Sequence, residues 1–244
     1  MAADRRLRIL SRLSAGGHAG VWPARLCDVS AEVTDMSGAG IMVMSCGVLL
    51  GSVCSTDEVS SLIEDLQYTL GEGPCVDAYE LQRPVLEPDL AAPNVARWLA
   101  FTPTAVNAGA RAIFGFPIEI GAVRLGALNL YRDRPGPLTD DQHADALVLA
   151  ALAARAMLVL QDQAPPGALA EELESGLNLR FVVHQASGMV SAQLDVSVGD
   201  ALVQLRGFAF ANDRTLAAVA DDVVSRRLRF DERPPDALPR SVER

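Results

Sequence analysis

The last third of the chain is the stretch that most limits what it can fold into. From Arg180 to Phe230, three amphipathic helical patterns follow one another with very short joints. Val182, Ala186, Met189 and Val190 recur at the i, i+4, i+7 and i+8 spacing of one helix face. Ala201, Leu202, Leu205 and Phe208 form a second such face, and Leu216, Val219, Ala220, Val223 and Val224 a third. The joints carry matching punctuation. Ser197 with Asp200 three residues later resembles a capping arrangement, Asn212-Asp213 breaks the second helix, and Asp213 or Thr215 can cap the third. The expectation is a compact three-helix unit of about fifty residues, small enough to gain from a partner surface.

Within that unit stand Val183-His-Gln-Ala186, Gly188-Met189, Gln193, Val196-Ser197, Ala201-Leu202, Leu205-Arg206, Ala209, Asn212-Asp-Arg-Thr-Leu216 and Val219-Ala220. On these residues it resembles the ANTAR family of RNA-binding transcription antitermination regulators. The resemblance runs ungapped through all three helices. It implies a dimeric module that grips paired RNA stem-loops in a nascent leader transcript and so prevents the overlapping terminator from forming. One position departs: Ser187 stands where many family members carry a lysine. A hydroxyl still donates a hydrogen bond, but the long-range attraction of a cation is gone.

The resemblance marks candidate RNA contacts. Arg180, Arg206 and Arg214 lie just outside core positions, against the competing reading of ordinary solvated helix charge. Gln185, Ser187 and Gln193 fall on the expected exposed flank of the first helix, suited to base edges in an RNA loop. Gly188 admits close approach of a base or of another helix, and His184 beside it is a stacking candidate or a plain surface residue. Asn212 and Thr215 complete the set, with C-terminal and N-terminal capping as their alternative roles. Arg226, Arg227 and Arg229 are explained by the helix dipole alone.

The charge bounds this picture. A formal net charge of −10 argues against generic, salt-driven binding to nucleic acid, so any RNA contact is local. All basic residues are arginines, planar donors that can stack on bases, although a genome-composition bias accounts for that too. Cys27, Cys46, Cys54 and Cys75 lack metal or redox spacing, and early arginines interrupt any signal peptide. The apolar run 146–160 is broken by Arg155 and shorter than a bilayer span. The expectation is a soluble cytoplasmic protein with reduced thiols, without cofactor or metal, bound neither to membrane nor to DNA.

Ahead of the three helices the order is helix (4–13, with Leu7, Leu10 and Leu13 inward), helix (21–34), hairpin (41–44 and 48–53, joined at Ser45-Cys46-Gly47), then a helix capped at Thr56-Asp57 that presents Leu62, Ile63, Leu66 and Leu70. A short strand (84–86), a helix (94–107), a hairpin turned at Gly121 and a long helix to about Gln163 follow. That is an α+β domain on an antiparallel sheet. With Gly71-Glu-Gly-Pro-Cys-Val-Asp-Ala78 and Gly126-Ala-Leu-Asn-Leu130, residues 18–163 look like a GAF domain, a sensory fold that often dimerises through its first and last helices. Cys75, Tyr79, Trp98 and Phe101 are its candidate pocket residues; core packing is the competing reading for the three aromatics, and a reactive thiol for Cys75.

The fold class expected is therefore α+β, a GAF-like antiparallel sheet flanked by helices, followed by an all-α three-helix ANTAR-like module. The divisions are 1–163 for the sensor, 168–231 for the RNA-binding module and 232–244 for a disordered tail, with Pro165-Pro166 at the joint. The leading expectation is a homodimeric, ligand- or partner-controlled antiterminator with no enzymatic activity. A thiol-dependent GAF-like reductase using Cys75 and a protein-interaction module without RNA are the alternatives.

Overall fold

In a computed structural model the described residues are 2–15, 22–45, 48–93, 96–163, 181–212 and 214–230. They form two units, 1–179 and 180–244. Arg180, Gly16-Gly17, Cys46-Gly47, the start of the helix expected at Asn94, Pro165-Pro166, Asp213 and the tail 232–244 lie outside the described residues.

The first unit is built on a five-stranded antiparallel sheet in the order β2-β1-β5-β4-β3. Its strands are β1 (Gly38–Ser45), β2 (Val48–Ser55), β3 (Val85–Glu87), β4 (Ala112–Ile120) and β5 (Val123–Arg132). Alternation decides which side chains go where. Ala39, Ile41 and Val43 of β1, Ala112, Phe114, Phe116 and Ile118 of β4, and Leu128 and Leu130 of β5 are buried in one continuous cluster. Three helices close that face: α1 (Ala2–Ser14), α2 (Trp22–Thr34) and α6 (Asp140–Gln163).

Helix α6 is long and apolar enough, by length and composition, to cross a membrane. Here Ala146, Leu149, Ala150, Ala153, Ala154 and Met157 are instead buried in the sheet-facing core. Helix α1 is tied to it by charge. Arg5 and Arg8 reach the buried carboxylate of Asp145 at 3.0 and 2.8 Å. That fixes which side of α1 turns inward. Ile9 is buried and Leu13 half-buried, while Leu7 and Leu10, expected inside, face out.

The opposite face carries α3 (Glu58–Leu70), α4 (Pro74–Leu81) and α5 (Phe101–Asn107). Asp57 caps α3: its carboxylate accepts from the Ser60 amide at 2.7 Å, and the Ser60 hydroxyl accepts from the Asp57 amide at 2.9 Å. Helix α5 is shorter than the 94–107 expected. Trp98 holds a left-handed φ of 53°, and the Glu72 carboxylate accepts from the amides of Ala100 and Phe101, both at 2.8 Å. A cap supplied from the turn between α3 and α4 starts the helix late.

The thiols are not all reduced. Cys27 of α2 and Cys54 of β2 form a disulfide, with Cα atoms 6.2 Å apart. Packing α2 behind the first hairpin brings them together, a proximity that a separation of 27 residues along the chain does not disclose.

The second unit consists of α7 (Phe181–Leu194), α8 (Val198–Ala211) and α9 (Leu216–Val224), each packed on the other two. Ser197 caps α8, accepting from the Asp200 amide at 3.1 Å, and Thr215 caps α9, accepting from the Ala218 amide at 3.2 Å.

Candidate functional site

In the helical unit the core is Val183, Ala186 and Val190 of α7, Ala201, Leu202, Leu205 and Ala209 of α8, and Leu216, Val219, Ala220 and Val223 of α9. The buried stripe of α7 is rotated from the expected one, since Val182 and Met189 are only half-buried. Ser187 goes inward with it. Only 1% exposed, its hydroxyl donates to the Val183 carbonyl at 2.8 Å. It therefore does not lie on the flank where a base edge was expected. A lysine there would carry its charge past a core boundary, whereas a serine can satisfy itself within the helix.

Gln193 is likewise committed to the fold. Its Oε1 accepts from the Phe230 amide at 2.9 Å, and the rings of Phe208 and Phe230 meet at 5.4 Å. Asn212 ends α8, its amide side chain donating to the Phe208 carbonyl at 2.8 Å. Thr215 uses its hydroxyl as a cap. Gln185 and Gly188 lie three residues apart on the solvent side of α7, and a Cβ at Gly188 would meet open space. His184 and Arg206 are half-buried.

Charge converges at the two ends of α9. Arg214, just before the helix, donates through Nη2 to Asp222 Oδ2 at 2.6 Å and to the Ala218 carbonyl at 3.1 Å. Arg227, just after it, donates through Nε to the other oxygen, Asp222 Oδ1, at 2.7 Å. The two guanidiniums hold the Asp222 carboxyl below its usual range, Arg214 contributing most. Arg226 next door is exposed with a left-handed φ of 59°. Residues 180–244 contain nine arginines and nine acidic residues, so the whole excess of −10 lies on residues 1–179.

In the first unit the four pocket candidates are packed as core. Cys75 and Phe101 are fully buried, and Tyr79 and Trp98 nearly so. The Trp98 indole stands edge-on to Phe101 at 6.2 Å and donates to Asp77 Oδ2 at 3.1 Å. Arg97 lies over its ring at 4.6 Å, within 3.8 Å of Asp77 and 3.6 Å of Glu87. Arg124 covers Tyr79 at 4.9 Å. Burial pushes the Cys75 thiol well up, and the charge of Glu64 adds to it, so the thiolate needed for attack is disfavoured.

What sequence reasoning missed here is a polar row under α3. That helix buries Ser60, Ile63, Glu64, Gln67 and Tyr68, while Leu62 is exposed and Leu66 and Leu70 are half-buried. Gly40, Asn129 and Gly115 are paired in register across β1, β5 and β4. A Cβ at Gly40 would fall 2.6 Å from Glu64 Oε1, and one at Gly115 2.7 Å from the Pro74 carbonyl carbon. The two glycines thus leave room for the buried carboxylate and for the start of α4. Gln67 Oε1 accepts from the Cys75 amide at 2.7 Å. Glycines and an asparagine inside otherwise apolar strands were the available signal.

Among known families, the GAF domain profile matches residues 24–158. No curated protein matches the chain. Similar solved structures include the GAF domain of a phosphoenolpyruvate-protein phosphotransferase from Coxiella burnetii, 13% identical, covering 66% of this chain and 95% of that one with a TM-score of 0.48. A domain of a two-component sensor histidine kinase protein from Sinorhizobium meliloti is 16% identical and covers 57% and 90%, with a TM-score of 0.47. A type II free methionine-R-sulfoxide reductase from Thermoplasma acidophilum is 15% identical over 63% and 92%, with a TM-score of 0.42.

Proposed function

The chain belongs to the GAF domain family, and from that premise we propose that it is a sensor-controlled RNA-binding antiterminator, its three-helix unit holding stem-loops of a nascent transcript. The observation that carries this reading is the charge division. The second unit is electrically neutral and presents exposed arginines at both ends of α9, while the acidic excess is confined to the first. An RNA-binding surface on an acidic protein needs such a partition, because phosphate contacts supply most of the affinity. Gln185 and Gly188 offer an amide and an open approach on α7, the chemistry that reads unstacked loop bases. Two copies, each taking one loop, would suit a paired stem-loop target, and the GAF unit would control how the copies are placed. No catalytic step is proposed, in keeping with the suppressed thiolate at Cys75.

The test is a titration of the full chain with a two-stem-loop leader RNA at moderate salt, beside the same RNA with scrambled loops. Saturable binding lost on scrambling is expected. Equal affinity for both RNAs, or none for either, overturns the reading.

A further inference from the structure

Asp222 is held by two arginines from opposite ends of one helix, one on each carboxylate oxygen, at 2.6 and 2.7 Å. Arg214 is brought there by the loop before α9, where its own amide donates to the Ala209 carbonyl at 2.9 Å. Arg227 comes from the turn after α9, its amide donating to the Asp222 carbonyl at 2.7 Å. Both backbones are therefore anchored where these side chains depart. A folding role for the trio is small, because water screens ion pairs near the surface and holding long side chains in one geometry offsets much of the attraction. Arg227 is well exposed in the pair. It spends only Nε on Asp222, and among the described residues its terminal Nη groups take no side-chain acceptor. Two guanidiniums converging on one oxyanion are the donor arrangement that grips phosphate.

We propose that Arg214 and Arg227 form a seat for a backbone phosphate of the bound RNA, occupied in the free protein by the Asp222 carboxylate, which the phosphate displaces. This rests on the RNA-binding reading above and gives it a location. Asp222 then acts as an internal competitor. A stray phosphate must evict it, and only a strand also held elsewhere on the unit does so readily. The seat positions RNA without reading its sequence. Arg227, which the helix dipole alone would explain, becomes a contact residue, and Asp222 a residue acting through two others.

The experiment is an anisotropy titration of the full chain with the same two-stem-loop RNA, at salt from about 50 to 200 mM. Asp222→Asn is compared with Arg214→Gln, Arg227→Gln and Arg155→Gln, a change at an exposed arginine of α6 in the first unit. The arginine variants should bind several-fold more weakly, each lowering the slope of log affinity against log salt by about 0.7 to 0.9. Asp222→Asn should bind more tightly at the lowest salt, and scrambled RNA should gain most. Arg155→Gln should match the unaltered protein. A merely structural trio would move the aspartate and arginine variants in the same direction, and that result overturns the seat. So does an unchanged salt slope in both arginine variants while the unaltered protein binds RNA. If the unaltered protein does not bind the RNA at all, the antiterminator reading falls first and the seat with it.

Discussion

Asn129 Nδ2 donates to Glu64 Oε1 at 3.1 Å, joining the middle of β5 to α3 through two side chains that are each 1% exposed. Burying a carboxylate is costly, and each donor that meets one of its oxygens lowers that cost. Asn129→Ala withdraws one and leaves a cavity, which should lower stability by about 2–3 kcal/mol in urea titrations. Asn129→Asp, nearly identical in shape, should cost more at neutral pH, because it sets a second carboxylate against the first.

Gly188→Ala separates folding from binding. The position is helical and a Cβ there meets open space, so the change should stabilise the protein by about 0.5–1 kcal/mol. If a loop base approaches at Gly188, RNA affinity should fall in the same variant. Thermal melts and RNA titrations would then move in opposite directions.

The disulfide contributes through the unfolded chain. Closing a loop between residues 27 residues apart should be worth about 3.5 kcal/mol on a chain-entropy estimate. The double variant Cys27→Ser, Cys54→Ser should show that loss in its urea midpoint and become indifferent to added dithiol. Cys75→Ser should keep the full response to reductant, since Cys75 is not part of the bridge.

Tyr131 adds a pH dependence of definite sign. Its hydroxyl donates to Asp57 Oδ2 at 2.9 Å, and burial first, then the bond and charge of Asp57, push its pKa up. The folded protein therefore keeps the proton after the unfolded chain has begun to lose it, at about pH 10. Stability from this group is fully present below that value and drains away as pH rises above it. Tyr131→Phe should flatten that decline in alkaline unfolding curves.

Local signals made much of this fold legible. The strands of the first hairpin followed from apolar runs separated by turn residues, and the caps at Asp57, Ser197 and Thr215 from a short polar residue before a periodic run. Long-range compensation was not legible. Polar Glu64 and Gln67 look like a solvent face unless the Gly40 side of the sheet is known to make room for them. Arg5 rotates α1 only because Asp145 waits on a helix some 140 residues away. In the helical unit the existence and joints of all three helices were readable. The rotation of α7 was not, because a serine that bonds back to its own helix counts as apolar in packing and as polar in a pattern. That one ambiguity moved Ser187 off the candidate surface. The pairing of Arg214 and Arg227 on Asp222 required a fold to bring the ends of α9 together.

The bridge between Cys27 and Cys54 also turns residues 27–54 into a covalent ring that includes all of β1, a central strand of the sheet. A peptide bond cut inside that ring, between β1 and β2, would release no fragment. The severed ends would stay attached through sulfur and through the hydrogen bonds of β1 to β5, so a nicked chain would run as one species until reduced.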